Sequence, residues 1–340
     1  MNKITILGGG SWGTAIARLL ANKHGDATLY ILEKPQAAYV QKYRENPHFL
    51  PGVKLSEALK ITDSIKEAVK DAKYVVLGVP TSASRSVMEE IKDLLEKDAI
   101  VINLAKGIEV GTLKRISEIA EELIPNHSFV SLSGPSHAEE VGRDIPTAVT
   151  VSSKDEDAAK EIQDLFSTEN FRVYTQKDLI GVEIGGALKN IIALAAGLSD
   201  GLGYGDNTKA ALMTRGMYEM SKLGICLGAA PQTFHGLAGM GDLIVTCTSM
   251  HSRNRRCGIL LGQGKSIDEA IEEVGMVVEG IKTTKSAYHL AQKYQVEMPI
   301  TEKLYDVLYH RQDPKKAVLS LMTRKKKEEI EEIFYENEKK

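Results

Sequence analysis

The stretch Lys3-Ile4-Thr5-Ile6-Leu7-Gly8-Gly9-Gly10-Ser11-Trp12-Gly13-Thr14-Ala15-Ile16-Ala17-Arg18-Leu19-Leu20 decides the fold. Lys3–Leu7 reads as a short strand and Thr14–Lys23 as a helix, with Gly8-Gly9-Gly10-Ser11-Trp12-Gly13 filling G-x-G-x-x-G between them. Gly8 permits the tight turn, Gly10 lets backbone approach a pyrophosphate, and Gly13 allows close contact of helix and strand. The helix N-terminus adds free N–H groups and the positive end of its dipole. A bare glycine pattern is weak, but one placed between strand and helix reads as a dinucleotide-binding fingerprint rather than a turn without ligand. The second strand ends at Ile31-Leu32-Glu33, which puts Glu33 20 residues beyond Gly13. An acid there accepts ribose hydroxyls and repels a 2′-phosphate, which favours NAD over NADP, although Lys34 partly offsets that repulsion.

Outward from this start, β-like and helix-like runs alternate to about residue 175. Lys3–Leu7, Ala27–Leu32, Tyr74–Val79, Ile100–Asn103, Ser128–Leu132, Ala148–Val151 and Phe171–Tyr174 read as strands. Several, such as Tyr74-Val75-Val76-Leu77, are continuous apolar runs, as expected of parallel strands covered on both faces. Helical patterns at Thr14–Lys23, Ser84–Leu95, Thr112–Leu123 and Glu156–Phe166 lie between them. The alternation predicts an α/β, Rossmann-type doubly wound domain over residues 1–178. The strand signal then stops. Val182–Leu198, Thr208–Leu223, Asn254–Leu261, Ser266–Glu273, Ile281–Tyr294, Ile300–Tyr309 and Lys315–Thr323 predict an all-α domain over 179–340. Arg324–Lys340, with six basic and six acidic residues, reads as a solvated terminal helix rather than a partner-binding tail.

The 340 residues suit two domains with real cores. With 43 Lys plus Arg against 46 Asp plus Glu, no basic excess suggests a nucleic-acid or membrane-surface binder. No stretch approaches the ~20 apolar residues of a membrane-spanning helix, and the three glycines break any secretory leader. Cys226, Cys247 and Cys257 make no C-x-x-C pair, so neither a disulfide framework nor a structural zinc is expected, and reduced thiols point to the cytoplasm.

Three features carry candidate chemistry. On the helix around Lys189, the neighbours one and two turns away are Gly185, Gly186, Ala193 and Ala196, all small. That face leaves room for a ligand or a close-packed helix. Burying the ammonium without a partner is costly, whereas a cleft lysine of lowered pKa serves as an acid/base group. Lys106 follows a strand at the carboxyl edge of the sheet, where open α/β sheets bind ligands, though an ordinary loop lysine would look the same. Asp242 follows Gly239-Met240-Gly241, and Ser252-Arg253-Asn254-Arg255-Arg256 opens a helix. The first reads as an acid after a glycine-permitted turn, and the second as either a phosphate or carboxylate site or a capped surface helix.

Gly186-Ala187-Leu188-Lys189-Asn190-Ile191-Ile192-Ala193-Leu194-Ala195-Ala196-Gly197 resembles the signature of NAD(P)-dependent glycerol-3-phosphate dehydrogenases of the bacterial soluble type. The likeness extends through Asn46-Pro47-His48-Phe49-Leu50-Pro51-Gly52, Lys106-Gly107-Ile108-Glu109, Ser133-Gly134-Pro135-Ser136-His137-Ala138-Glu139-Glu140, Gly236–Leu243 and Val277-Val278-Glu279-Gly280. It implies interconversion of sn-glycerol 3-phosphate and dihydroxyacetone phosphate with NAD or NADP, supplying glycerol 3-phosphate for phospholipid synthesis. Lys189 would be the general acid/base, Lys106 would orient the C2 oxygen, and Asp242, Asn190 and Thr246 would complete the network. Arg253 and Asn254, beside Ser252, would hold the phosphate. Ser11, Trp12, Ala138, Arg253, Val277 and Glu279, with Gly8, Gly10, Gly13, Glu33 and Lys106, would line the dinucleotide, and Gly134 and Ser136 would contact bound ligands. Relatives that use NADP often carry Arg or His where this chain has Leu32 and Glu33, which again favours NAD. No metal is implied, and a homodimer is the expected assembly. A dinucleotide-sensing protein would keep the glycines without needing the lysines, and an enzyme of another 2-hydroxy or 3-hydroxy acid would act on a substrate that lacks the phosphate.

Overall fold

A computed structural model of the chain describes residues 3–329. Ten strands alternate with helices in the first half: β1 Lys3–Leu7, β2 Ala27–Tyr30, β3 Glu45–Asn46, β4 Leu50–Lys54, β5 Leu59–Thr62, β6 Ala72–Leu77, β7 Ile100–Asn103, β8 Ser128–Ser133, β9 Thr147–Ser153 and β10 Phe171–Gln176. Eight of them form one sheet in the order β10-β9-β8-β7-β6-β1-β2-β5, while β3 and β4 make a small antiparallel ribbon. Its helices are α1 Ser11–His24, α2 Lys34–Tyr43, α3 Ile65–Val69, α4 Thr81–Ile91, α5 Ile116–Leu123, α6 Ala138–Val141 and α7 Glu156–Phe166. Two apolar clusters cover the sheet, one around Ile6, Ile16 and Phe166, the other around Leu7, Met88 and Ile119. The chain reverses direction in the strand order between β1 and β6, which makes that crevice the natural ligand site of such a sheet.

The expected doubly wound fold is present, with specific departures. β8 pairs antiparallel with β9, so the sheet is mixed rather than all parallel. The connection between them carries only the four-residue α6, too little for a helical crossover, and the chain simply turns back. The ribbon, β5 and α2 were not anticipated; β5 is a four-residue edge strand of mixed polarity, the kind a pattern reading passes over. The helix expected at Thr112–Leu123 begins only at Ile116, because Leu113 adopts a left-handed backbone (φ 61°) and the 109–114 loop closes on itself through Glu109 N–H to Lys114 O.

The second half is helical: α8 Leu179–Gly201, α9 Asp206–Cys226, α10 Asp242–Thr248, α11 Arg253–Gly262, α12 Ile267–Val274, α13 Glu279–Tyr294, α14 Pro299–His310 and α15 Pro314–Met322. Contrary to the sequence expectation, one segment does reach membrane-spanning length and apolarity: α8, of 23 residues and mean hydropathy 1.6 over its best window. That window is 94% buried, however, and an all-round apolar helix is the central rod of a bundle. At its start, Asp178 caps it by accepting from Gly181 N–H (2.9 Å). Arg324–Glu329 is not helical. Four successive cations at 324–327 disfavour a helix, and Lys327 and Arg324 turn to Glu297 instead. The rest of the expected terminal helix, 330–340, lies outside the described residues.

The halves are fastened together. Buried Glu183 on α8 accepts from Arg115 Nη1 (2.8 Å), Ser117 N–H (2.8 Å) and Ser117 Oγ–H (2.5 Å) at the start of α5. Ile108, in the loop after β7, is part of the helical core, and Ser286 on α13 donates to its carbonyl (3.2 Å).

Candidate active site

At the carboxyl edge of the sheet the glycine loop packs as its spacing requires. Gly8 has φ 121°, open to glycine alone at little cost, and a Cβ on Gly13 would stand 2.1 Å from Gly8 O. Gly78, just beyond β6, completes the cradle: a Cβ there would lie 3.1 Å from Gly13 Cα. Sequence reading gave Gly78 no role, since its contact depends on which strand lies beside β1. Gly10 is the N-cap of α1 in an extended conformation, and a Cβ added to it would meet nothing within 4 Å. A loop pressed tightly underneath and open above, at a helix N-terminus, fits a dinucleotide pyrophosphate.

The other residues expected at the dinucleotide sit around this opening. Ser11 Oγ approaches Met276 Sδ (3.6 Å), which brings the loop before α13 over the start of α1. Trp12 packs on the sheet core with its indole N–H unpartnered. Glu33 caps α2 without a side-chain bond and is exposed beside Leu32, itself 69% exposed. Val277 is exposed and Ala138 is buried at the start of α6. Glu279 accepts from Thr81 N–H (2.9 Å), so α13 caps α4 across the crevice, a contact between residues 198 positions apart that no local pattern could signal.

The second centre is a lysine–aspartate–lysine bridge. Lys189, 7% exposed on α8, donates to Asp242 Oδ1 (2.8 Å) and Thr246 Oγ1 (2.7 Å). Lys106 donates to Asp242 Oδ2 (2.7 Å) and Gly134 O (2.9 Å), and its Nζ stands 3.5 Å from Ser136 Oγ. Both lysines therefore share one carboxylate. Burial pushes the Lys189 ammonium down to about 8; Lys106 adds to that push and Asp242 opposes it. For Asp242 burial works upward, but the two ammonium groups prevail and hold it below the usual carboxylate range. His137, the N-cap of α6, approaches the Val245 carbonyl of α10 through Nε2 (3.5 Å). Burial, and then Lys189, lower its imidazole, which favours the neutral ring.

The small residues beside Lys189 do not leave open space. A Cβ on Gly185 would lie 2.7 Å from Ala238 O, and one on Gly186 2.7 Å from Ser133 Oγ. The turn Leu237–Gly241, wound as a π-helix, packs against Gly185 and delivers Asp242 as the first residue of α10, while Ser133 at the end of β8 packs against Gly186. Such π turns cluster at functional sites. Gly239, expected to enable a turn, is needed instead for approach: a Cβ there would stand 2.1 Å from Phe234 O.

The third centre is the start of α11. Ser252 is its N-cap, accepting from Arg255 N–H (3.2 Å). Asn254 lends its side chain to the scaffold rather than to the opening: Nδ2 donates to Asn190 Oδ1 (2.9 Å), and Oδ1 accepts from Gly280 N–H (2.8 Å). Asn190 in turn donates to Lys106 O (3.1 Å). What α11 offers an anion is thus its first-turn N–H groups and Arg253. The Arg253 guanidinium makes no hydrogen bond or ion pair among the described residues, and its charged neighbours are Glu279, Glu139 and Arg256. A glycine contact fixes this helix end against α8: a Cβ on Gly197 would lie 2.0 Å from Arg255 O, and one on Gly258 2.1 Å from Leu194 O. Sequence reading missed this pairing because the two glycines are 61 positions apart.

Known proteins match the chain over nearly its whole length. The family description NAD-dependent glycerol-3-phosphate dehydrogenase N-terminus fits residues 3–159 and its C-terminus counterpart fits 178–319. The chain is 55% identical to the NAD(P)+ glycerol-3-phosphate dehydrogenase of a Thermoanaerobacter species, over 97% of this chain and 100% of that one. It is 53% identical to that of Bacillus subtilis, over 100% of both chains. A crystal structure of glycerol-3-phosphate dehydrogenase from Coxiella burnetii superposes with a TM-score of 0.92 at 37% identity, over 95% of this chain and 99% of that one.

Proposed function

This chain belongs to the NAD-dependent glycerol-3-phosphate dehydrogenase family and is an NAD(P)-dependent oxidoreductase, and from that membership we propose how its own residues act. The substrate pair is sn-glycerol 3-phosphate and dihydroxyacetone phosphate, and Lys189 is the general acid/base. The observation that carries this reading is the bridge Lys106–Asp242–Lys189 beside the anion-binding end of α11.

Bound NAD(P)H supplies the hydride to C2. Reduction puts negative charge on the C2 oxygen, and two ammonium groups at the site stabilise it. Lys189 then gives up one proton to that oxygen. A group of pKa about 8 exchanges protons near neutral pH far more readily than an ordinary lysine. Asp242 holds Lys189 and Lys106 in register, with Thr246 fixing the Lys189 amine from the other side. The substrate phosphate takes Arg253 and the first-turn N–H groups of α11, next to Ser252. Asn190 and Asn254 act by tying α8, α11, α13 and Lys106 together. Gly134 and Ser136 shape the loop that Lys106 grips.

Gly8–Gly13 would hold the dinucleotide phosphates and Glu33 the adenosine ribose, and residues 1–178 and 179–340 divide as cofactor and substrate halves. A homodimeric cytoplasmic enzyme feeding phospholipid synthesis completes the reading. Dihydroxyacetone-phosphate-dependent loss of NADH absorbance tests it. Turnover by wild type, absent when the ketone lacks its phosphate, is expected. Equal turnover of the unphosphorylated ketone would remove the role given to Arg253.

A further inference from the structure

The peptide joining Gly9 and Gly10 has no side chain on either side, so sterics alone barely resist a flip of its plane. In a trans peptide the C=O and N–H point opposite ways, so whichever group faces inward decides what the loop shows the ligand. Here the Gly9 carbonyl faces inward. It accepts from Gln36 Nε2 (2.8 Å) and Asn46 Nδ2 (2.9 Å), filling both lone pairs. Asn46 is 1% exposed and lies in β3, outside the glycine motif altogether. Its Nδ2 also donates to Thr14 Oγ1 on α1 (2.9 Å), and its Oδ1 accepts from Gln36 (3.3 Å). At the other end of this peptide, a Cβ added to Gly10 would meet nothing within 4 Å.

We propose that Asn46, assisted by Gln36, is a positioning residue that locks the Gly9–Gly10 peptide with its N–H toward the dinucleotide phosphates and its carbonyl away from them. The proposal rests on reading Gly8–Gly13 as the phosphate-holding loop. A flipped peptide would place a carbonyl oxygen against an anion and remove a donor from it. The ribbon of β3 and β4 thereby acquires a purpose, because it brings a buried amide to the underside of a loop 37 residues away.

The test measures the Kd of NAD+ and the melting temperature of the ligand-free protein for Asn46→Ala and Asn46→Asp. Alanine removes the donor and leaves the peptide free to flip; binding weakens about tenfold, the scale of one hydrogen bond. Aspartate keeps the shape, and the Thr14 hydroxyl can turn to donate to it. Its carboxylate, however, repels the Gly9 carbonyl and accepts from a flipped Gly10 N–H, so binding weakens about a hundredfold. Lowering the pH protonates that carboxylate, restores a donor and recovers affinity in Asn46→Asp but not in Asn46→Ala. A purely structural role gives the reverse order, with alanine worse than aspartate and no pH-dependent recovery, and overturns the proposal. If Asn46 variants do not fold, Gln36→Glu at the half-buried partner takes their place; it weakens binding, and wild-type affinity there overturns the lock. Gly10→Val separates the two ideas. If it binds NAD+ as wild type does, the loop reading itself fails. If it loses binding while the Asn46 and Gln36 variants keep theirs, only the lock fails.

Discussion

In the proposed function the glycine loop and the lysine bridge both meet anions, yet they are made from opposite materials. The loop uses backbone N–H groups and neutral amides, drawn mostly from one continuous stretch, Gly8–Gly13, with a carbonyl pinned from beneath by Asn46 and Gln36. The bridge uses full charges, Lys106, Asp242 and Lys189, which come from the loop after β7, the start of α10 and the middle of α8. Neutral donors do not titrate, so the loop should hold a dinucleotide across a wide pH range. Buried charges depend on one another, so the bridge responds sharply to pH and to the loss of any member. A dehydrogenase site needs both: a constant grip on the cofactor and a proton that moves.

The strongest way to break this comparison is Lys189→Met. It should lower kcat by about a thousandfold or more, the scale of general acid/base catalysis, while the Kd for NADH changes less than about threefold. Steady-state turnover and NADH fluorescence titration check it, and parallel losses in both would merge the two centres into one. Next, substitution of glycine should have different consequences in different places. Gly258→Ala pushes a Cβ against the Leu194 carbonyl at 2.1 Å, backbone that cannot move aside. A stability loss of about 2 kcal/mol should appear in denaturant unfolding. Gly10→Val, in open space and an extended conformation, should leave stability within about 0.5 kcal/mol and abolish NADH binding.

The pH profile sharpens the same contrast. Oxidation of glycerol 3-phosphate needs Lys189 neutral, so kcat/KM should rise with pH and level off above an inflection near 8. Reduction needs it charged and should fall through the same inflection. Asp242 favours the charged ammonium, so Asp242→Asn should move the inflection down by about one unit, besides lowering kcat. An inflection that stays in place would mean another group sets it. NADH binding should stay flat over this range. The smallest expected effect is at the ribose: kcat/KM with NADH should exceed that with NADPH, and Glu33→Ser should narrow the ratio by about tenfold, read from paired assays. Equal efficiency in the wild type would defeat the role given to Glu33.

Legibility followed the same division. Gly8, Gly10 and Gly13 declare themselves because their contacts lie within one β-turn-α unit, and α7 was read to its ends because Asp155 caps it and its apolar face is regular. Lys189 stands out because its helix neighbours are all small, a face open to a ligand or a close-packed helix; the structure decides for packing, with the Leu237–Gly241 turn against Gly185 and Ser133 of β8 against Gly186. The resemblance assigns Asn254 to the phosphate; its side chain joins α11 to Asn190 and Gly280, which leaves its backbone N–H, in the first turn of α11, to face an anion. Gly78, Thr81, Gln36 and the crossing of Gly197 with α11 carried no local signal at all.

The sequence by itself determined the alternation of strand and helix, the position of the glycine turn and the identity of the charged residues, since these depend on neighbours a few positions apart. Only the tertiary structure decided that one aspartate serves two lysines, that α13 caps α4 and that a distant asparagine holds the Gly9 carbonyl. Those facts depend on which surfaces meet once the core closes. Burial then changes the chemistry of what meets there, lowering one lysine to about 8, because the low-dielectric interior charges for every ion it must hold.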